Sequence, residues 1–241
     1  MLIASERHRP EDLRLWAELE EADMVHGERL MRSGKAGAAL QVVRDFTTAG
    51  PCYCSVSWGK DSVVLAHLWS RSSVDSWAFW HARPERMLET EQVEEAFLAS
   101  HPLRYHRVEC PGDWAVAEYR RISGATRYAT GVRADESSVR KISARVHGVA
   151  TGNACRPLLW WTAQDVFGYL AYHHLPVHPV YAMVGGGRWN RHRLRVEVLG
   201  GAEAEQFGRR EWEAEYYGDV LRRRQVQAAL DEISTVMGAE S

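Results

Sequence analysis

The fold of this chain is decided by the stretch Ser57-Trp58-Gly59-Lys60-Asp61-Ser62. It follows an apolar segment, residues 53–57, that has the length of a buried strand, and it leads into an apolar-periodic segment, residues 62–69, that is typical of a helix. A helix that begins in this way directs unpaired, partly positive backbone N–H groups toward whatever lies in front of it. The stretch therefore predicts an anion-binding turn between a strand and a helix.

The residue types of this loop suit a polyphosphate. Gly59 leaves the backbone open to close approach, and the hydroxyl groups of Ser57 and Ser62 are possible donors. Lys60 adds a mobile positive charge, and Asp61 is a candidate Mg²⁺ ligand because hard cations prefer oxygen. The loop is not a Walker A loop, since it lacks the early glycine and has an aspartate directly after the lysine. A capped strand-to-helix junction without a ligand is the alternative.

A second motif, Thr-Gly-Val-Arg-Ala-Asp-Glu-Ser, occupies residues 130–137, and Arg140 follows it. It comes after a predicted strand, residues 126–130, so its side chains are expected at the carboxyl edge of a sheet, where open α/β sheets bind ligands. Arg133 and Arg140 have the fork geometry that phosphate and sulfate favour, and Glu136 is placed to orient Arg133 or to share in holding a metal. The alternative is a solvated salt-bridge cluster at a helix start.

A third segment, residues 156–181, carries a Trp-Thr pair at a predicted helix start, with Thr162 as N-cap, and a Pro-Val-Tyr run at its end. Together the three segments resemble the PP-loop superfamily of adenine nucleotide alpha hydrolases. Within that superfamily they are similar to the phosphoadenosine phosphosulfate (PAPS) reductase family, over roughly residues 50 to 182.

The resemblance implies an α/β, Rossmann-like fold of the adenine nucleotide alpha hydrolase type, with a mostly parallel sheet flanked by helices. The alternation of apolar strands with helical segments predicts the same architecture. The expected organisation is a helical N-terminal extension (1–49), a PP-loop nucleotide-binding domain (50–200) and a helical C-terminal extension (201–241).

The resemblance also implies a site for ATP or PAPS with Mg²⁺. The nucleotide-binding residues, matched motif by motif, are Ser57, Trp58, Gly59, Lys60, Asp61, Ser62, Arg133, Glu136 and Arg140. Lys60, Asp61 and Arg133 form the expected catalytic group, and Asp61 is the expected Mg²⁺ ligand. Trp58 departs from the pattern, since many relatives have a glycine there. The reaction implied is cleavage of ATP between the α and β phosphates, which releases pyrophosphate and leaves an adenylyl group for an acceptor.

The cysteines bear on the choice of reaction. The reductases for which the family is named use a cysteine near the C-terminus, whereas no cysteine follows Cys155 in this sequence. The four cysteines also lack paired C-x-x-C spacing, so no iron–sulfur cluster is expected. ATP cleavage is therefore the preferred expectation. Sulfonucleotide reduction and a non-catalytic nucleotide-binding subunit are the alternatives.

A basic segment beyond the core suggests partners. Trp189 lies among four arginines: Arg188, Arg191, Arg193 and Arg195. Such a segment suits a nucleic-acid acceptor or a second phosphate or sulfate of the nucleotide. A solvated turn neutralised by Glu197, Glu203 and Glu205 is the alternative. Activation by adenylation further suggests a sulfur-donor protein or a GTPase as partner, in sulfur transfer or nucleic-acid modification.

Composition sets the remaining bounds. A chain of 241 residues, 45% hydrophobic, can bury one good core. Its formal net charge of −2 argues against a generally basic nucleic-acid binder. No apolar run has the length of a membrane span, and the first residues are too charged for a secretory signal. We expect a cytoplasmic protein.

Overall fold

The computed structural model describes residues 1–72, 75–83, 86–87, 89–196, 199–200 and 208–238, with the backbone alone for residues 113 and 232–238. Its strands are β1 (Cys52–Val56), β2 (Trp77–His81), β3 (Arg104–Val108), β4 (Arg127–Ala129) and β5 (Ala154–Cys155). They form one sheet in the order β3-β2-β1-β4-β5, and every neighbouring pair is parallel.

Eight α-helices are described. They are α1 (Pro10–Arg32), α2 (Lys35–Thr48), α3 (Lys60–Ser70), α4 (Glu89–Ser100), α5 (Ala115–Ser123), α6 (Ser138–His147), α7 (Ala163–Tyr172) and α8 (Arg209–Gly238). The predicted Rossmann-like α/β fold is confirmed. Strand β5 was not predicted, because its two residues are too short to show a periodic pattern.

The sheet places the two motifs beside each other. The chain builds β1, β2 and β3 outward in one direction and then returns to add β4 and β5 on the other side of β1. The loop after β1 and the segment after β4 therefore meet at the carboxyl edge, at the point where the strand order reverses. Ligands of open α/β sheets bind at such a point.

The N-terminal helices pack as part of the same compact unit, which spans Met1–Val196. A Cβ added to Gly27 of α1 would lie only 2.2 Å from the carbonyl oxygen of Gly168 in α7, so both helices need glycine at their crossing. The second unit is Glu197–Ser241, and its described helix α8 has a non-helical residue, Tyr217, within it. Packing thus divides the chain at 196/197, while the boundaries predicted at 49/50 and 200/201 stay predictions.

Helix α7 begins as the sequence predicts. Thr162 caps it by accepting the N–H of Asp165 at 3.1 Å, and the Asp165 carboxylate accepts the N–H of Thr162 at 2.7 Å. Lys35 and His26 also contact this carboxylate, at 2.7 and 3.0 Å. Burial alone would raise the pKa of Asp165, but these hydrogen bonds lower it to about 2. The carboxylate therefore connects α1 and the start of α2 to the start of α7.

In the part of the chain that is described, no helix combines the length and the apolar character that crossing a bilayer requires.

Candidate nucleotide-binding site

The loop after β1 is shaped by its own serines. Gly59 is the N-cap of α3 and has no side chain to accept the first N–H groups of that helix. The hydroxyl of Ser62 donates to the carbonyl of Gly59 at 3.0 Å and accepts the N–H of Ser57 at 3.0 Å. Ser62 therefore holds the turn closed, and the start of α3 has the geometry of an anion-binding element, while the binding of an anion there stays a prediction.

Trp58 has an unusual backbone conformation for a tryptophan. Its φ is +58°, in the left-handed region where a Cβ is costly, so a glycine would be favoured there. Its side chain is fully buried, with ring centroids 5.4 Å from Phe97 and 5.6 Å from Tyr105. The indole N–H also donates to the Tyr105 hydroxyl at 3.4 Å. The side chain thus belongs to the core, and only the backbone of Trp58 is available to a ligand.

Lys60 is enclosed by groups from distant parts of the chain. Its ammonium lies 3.2 Å from an Asp61 carboxylate oxygen and 3.5 Å from the Leu194 carbonyl, and its side chain is 2% exposed. Its backbone N–H donates to the Tyr181 hydroxyl at 3.1 Å. Burial raises the pKa of Tyr181, so the phenol is neutral. Tyr181 and Leu194 therefore contact groups of Lys60 that also suit a phosphate.

Arg133 joins the segment after β4 to the loop. Its Nε donates to Asp61 at 2.5 Å, and one of its terminal nitrogens donates to Asp135 at 2.5 Å. The side chain is 2% exposed, and the guanidinium makes its ion pairs with carboxylates of the protein itself. Glu136 accepts the backbone N–H of Arg133 at 3.4 Å and pairs with Arg140. The predicted residues of the two motifs are thus brought together, with Arg140 at their edge.

Gly131 lies against the loop backbone. A Cβ built on it would lie 2.9 Å from the carbonyl oxygen of Asp61 and 3.3 Å from the backbone nitrogen of Ser62. Any side chain there would push the two segments apart, because both obstructing atoms are backbone. The glycine of the second motif is therefore required for the close approach of the segment after β4 to the loop.

The sequence indicated the arginines of residues 188–195 as possible ligand contacts, but no motif indicated that this part of the chain covers the loop. Asp12 of α1 accepts the N–H groups of Val184 at 3.1 Å and Gly186 at 3.3 Å. Arg191 makes a buried two-pronged ion pair with Asp23, at 2.8 and 2.7 Å. These contacts fasten residues 184–191 to α1, and the chain then reaches Leu194 above Lys60. We call residues 184–194 the covering segment.

The arginines of this segment have unequal roles. Arg191 is 6% exposed and lies over the ring of Phe167 at 4.2 Å, so it stabilises the fold rather than offering a charge to a ligand. Arg188 lies 4.5 Å from the ring of Trp189. Of the four arginines that were predicted to contact an acceptor, Arg191 is therefore excluded. Arg188, Arg193 and Arg195 remain as candidates. Glu197, Glu203 and Glu205, which the alternative needed, lie outside the described residues.

The described residues do not form a Mg²⁺ site built from protein groups alone. Both oxygens of the Asp61 carboxylate already contact cations, one Arg133 and the other Lys60. Among the described residues, no three or more His, Cys, Asp or Glu side chains are arranged to hold a metal ion. In this arrangement the carboxylate orients two cationic side chains. Its assignment to Mg²⁺ stays a prediction, since Mg²⁺ at nucleotide sites is held by one or two carboxylates together with phosphate oxygens.

A cavity of about 730 Å³ opens at the carboxyl ends of β2 and β3, on the same edge of the sheet as the loop. Its wall includes His81, Arg83, Arg86 and Cys110. His81 is fixed by a 2.8 Å hydrogen bond between its Nε2 and the carbonyl of Cys110. The cavity has the size of a small-molecule site. Its wall carries charges of both signs, because Glu109 lies in it and pairs with Arg86.

The thiols are mostly unsuited to nucleophilic chemistry. Cys52, Cys54 and Cys155 are buried, and burial raises the pKa of each, for Cys155 to about 12. A neutral thiol is a poor nucleophile, because the thiolate is the reactive form. Cys110, on the cavity wall, is the half-buried exception.

Comparison with solved structures agrees with the fold. The phosphate complex of the PAPS reductase from Candida auris is 12% identical, with a TM-score of 0.52 over 73% of this chain and 95% of that chain. An FMN adenylyltransferase from Candida glabrata is 14% identical, with a TM-score of 0.49 over 71% of this chain and 67% of that chain. At such identities the likeness of the Candida auris protein shows the fold alone.

Sequence comparison identifies the family. A PAPS reductase from Synechococcus sp. is 34% identical over 110 residues, which are 45% of this chain and 44% of that protein. The match therefore spans less than half of the relative's length. The model of the phosphoadenosine phosphosulfate reductase domain matches residues 51–184, more than half of the chain. The chain belongs to the phosphoadenosine phosphosulfate reductase domain family.

Proposed function

We propose that this protein binds ATP, cleaves it between the α and β phosphates and transfers the adenylyl group to an acceptor. The observation that supports this most is the uncapped start of α3 at Gly59, with the buried Lys60 ammonium beside it. Fixed N–H groups and a desolvated positive charge stabilise a departing pyrophosphate more strongly than the same groups in water.

The reaction needs few groups from the protein. A nucleophilic atom of the acceptor attacks the α phosphorus, the bond to the bridging oxygen of the β phosphate breaks, and pyrophosphate leaves with the electron pair. Lys60 and the first N–H groups of α3 neutralise that charge. Asp61 and Arg133 hold the lysine and the loop in position through their mutual ion pair, at 2.5 Å. Arg140, paired with Glu136 at the edge of the site, is the candidate contact for the α phosphate.

The acceptor determines the biological role. Sulfur transfer to a nucleic acid, with a sulfur-donor protein as partner, is consistent with activation by adenylation. Arg188, Arg193 and Arg195 would then contact the nucleic-acid backbone. Sulfate as the acceptor, with a GTPase partner, is the other form of the same chemistry. The cavity near His81 and Arg83 offers room for the nucleoside or for a small acceptor.

Sulfonucleotide reduction is the second candidate, because the curated relative is a PAPS reductase. It requires a thiolate, and of the four cysteines only Cys110 is not buried. The raised pKa of Cys155 counts against thiol attack from the segment between the motifs. A non-catalytic nucleotide-binding subunit is the third candidate, since the Tyr181 hydroxyl occupies the loop N–H of Lys60.

One experiment separates the three candidates. The protein is incubated with Mg²⁺ and ATP, or with PAPS, thioredoxin and a thiol reductant, and the nucleotides are separated by chromatography. Lys60→Ala is the test variant, and Lys141→Ala, an exposed lysine of α6, is the matched control. Pyrophosphate binding is measured in parallel by calorimetry.

We expect AMP and pyrophosphate from ATP, because water takes the place of the acceptor in its absence, with both products lost in Lys60→Ala and retained in Lys141→Ala. Adenosine 3′,5′-bisphosphate formed from PAPS would replace the proposal with reduction. Pyrophosphate binding that depends on Lys60, without any product, would identify a non-catalytic subunit.

A further inference from the structure

Helix α6 presents its apolar side chains to solvent. Val139, Ile142 and Val146 are 76%, 64% and 70% exposed. Their spacing of three and four residues places them in one row on the helix. Ala144, which is 1% exposed, lies on the opposite side and packs with Ala134 and Leu159. The helix is thus attached to the fold by a small residue, and we call the outward row the α6 stripe.

The helix that carries the α6 stripe is basic. Residues 138–147 include Arg140, Lys141, Arg145 and His147 and contain no aspartate or glutamate. Lys141 and Arg145 are exposed, and Arg140 pairs with Glu136 of the preceding turn. A single exposed aliphatic residue needs no explanation, but three in a row beside exposed basic side chains are typical of an interaction surface.

We propose that the α6 stripe is the docking surface for an acidic protein partner, which covers the three aliphatic side chains with its own apolar residues and faces Lys141 and Arg145 with carboxylates. Charge complementarity specifies the partner's sign. Burial of the stripe supplies the affinity, since apolar area removed from water is the main favourable contribution to association.

Two other occupants suit the surface less well. A second copy that paired α6 with α6 would bring two basic helices together, with no acidic residue on either to offset the repulsion. A nucleic acid would use the basic residues, but phosphates gain nothing from valine and isoleucine, and the stripe has no aromatic residue on which bases stack. The proposal does not depend on which reaction the nucleotide site performs.

The test begins with cross-linking of the full-length protein. A photoreactive phenylalanine analogue is placed at position 146, or at position 25 of α1 as control, where Val25 is 50% exposed. Cross-links are formed in a lysate of cells that express the protein natively, and the product is identified. The captured protein is then purified and its affinity for the wild type, Ile142→Asp, Ile142→Ala and Val25→Asp is measured at low and high salt.

The expected result is an acidic protein captured at position 146 and not at position 25. Its dissociation constant should rise at least about tenfold with Ile142→Asp, rise less with Ile142→Ala, stay unchanged with Val25→Asp and increase with salt. Unchanged thermal unfolding of the variants would show that they fold. Capture of nucleic acid alone, of a second copy alone or of nothing would overturn the proposal. The proposal would also be overturned by an acidic protein whose dissociation constant is the same for the wild type, Ile142→Asp and Ile142→Ala.

Discussion

The hydroxyl of Tyr181 accepts the backbone N–H of Lys60 at 3.1 Å, although 121 residues separate them. The Lys60 ammonium lies 5.0 Å from the centre of the same ring. A Cβ built on Gly59 would approach the hydroxyl to 3.1 Å, so the phenol lies directly against the turn. The phenol thus occupies one of the N–H groups that a phosphate oxygen would use, and a bound polyphosphate must compete with it.

This competition predicts the effect of Tyr181→Phe. In the wild type, pyrophosphate must displace the hydrogen bond between the Lys60 N–H and the Tyr181 hydroxyl, which contributes about 1 kcal/mol. Without the hydroxyl this cost is absent, so pyrophosphate should bind about fivefold more tightly. Titration calorimetry with pyrophosphate measures this. Tyr128→Phe, on the partly exposed strand β4, is the control. Weaker binding by Tyr181→Phe would show instead that the hydroxyl donates to the bound anion.

Gly131→Ala should weaken pyrophosphate binding at the same site, because Gly131 packs against the backbone of the loop at Asp61 and Ser62. The added methyl group would lie 2.9 Å from the Asp61 carbonyl oxygen, so the segment after β4 and the loop must separate. Overpacking against backbone costs about 1–3 kcal/mol, and we expect the dissociation constant for pyrophosphate to rise about tenfold. Gly152→Ala is the matched control, because a methyl group added there would have nothing within 4 Å of it. Equal affinities in the two variants would contradict the close approach.

The ion pair between Arg133 and Asp61 predicts strong energetic coupling. Arg133→Ala removes the partner of Asp61 and of Asp135, and we expect a loss of about 3–5 kcal/mol in the free energy of unfolding. Asp61→Ala should lower the free energy of unfolding less in the Arg133→Ala variant than in the wild type. The difference, which is the coupling energy, should be about 1–3 kcal/mol. Urea denaturation followed by tryptophan fluorescence measures both quantities.

The exposed pair of Arg32 and Glu28, 2.8 Å apart on α1, provides the comparison cycle. Its coupling should be within about 0.5 kcal/mol of zero, because surface ion pairs contribute little. Additive effects at Arg133 and Asp61 would indicate that the two side chains act independently.

Much of the site was predictable because it is local in sequence. The strand, glycine turn and helix around Lys60 are contiguous, and the order of strands then places Arg133 beside them by a general rule of open sheets. That rule accounts for the proximity of Arg133 and Asp61, since both follow parallel strands that are neighbours. Their ion pair was not predicted, because Arg133 was expected to contact a phosphate and Asp61 to contact Mg²⁺.

The covering segment was not predictable in the same way. The pairing of Arg191 with Asp23 joins residues 168 apart, and no pattern in either stretch identifies the other. The four-arginine segment was interpreted from charge alone, whereas burial against Phe167 removes Arg191 from any ligand surface. Trp58 is similar: its left-handed backbone and its place among Phe97 and Tyr105 depend on tertiary packing, which overrides local preference.

A cluster of histidines far from the loop along α3 predicts how stability depends on pH. The rings of His101 and His173 lie 5.0 and 4.8 Å from that of His67, and the Tyr169 hydroxyl is 2.9 Å from His67 Nδ1. Burial, reinforced by neighbouring positive charge that includes Arg71, lowers the pKa of His67 to about 3 and that of His173 to about 4. Both imidazoles are therefore neutral in the folded protein.

Because the unfolded chain binds these protons near pH 6.5 and the folded protein does not, the stabilisation is complete above about pH 6.5 and is lost as the pH falls toward 4. Between about pH 5.5 and 4.5, His67→Gln should reduce the slope of unfolding free energy against pH by about 1 kcal/mol per pH unit. Glutamine keeps a polar group near Tyr169, so the variant should fold. Denaturant melts at several pH values measure the slope, with exposed His147→Gln as control. A slope in His67→Gln equal to that of the wild type would mean that His67 is already protonated in the folded protein.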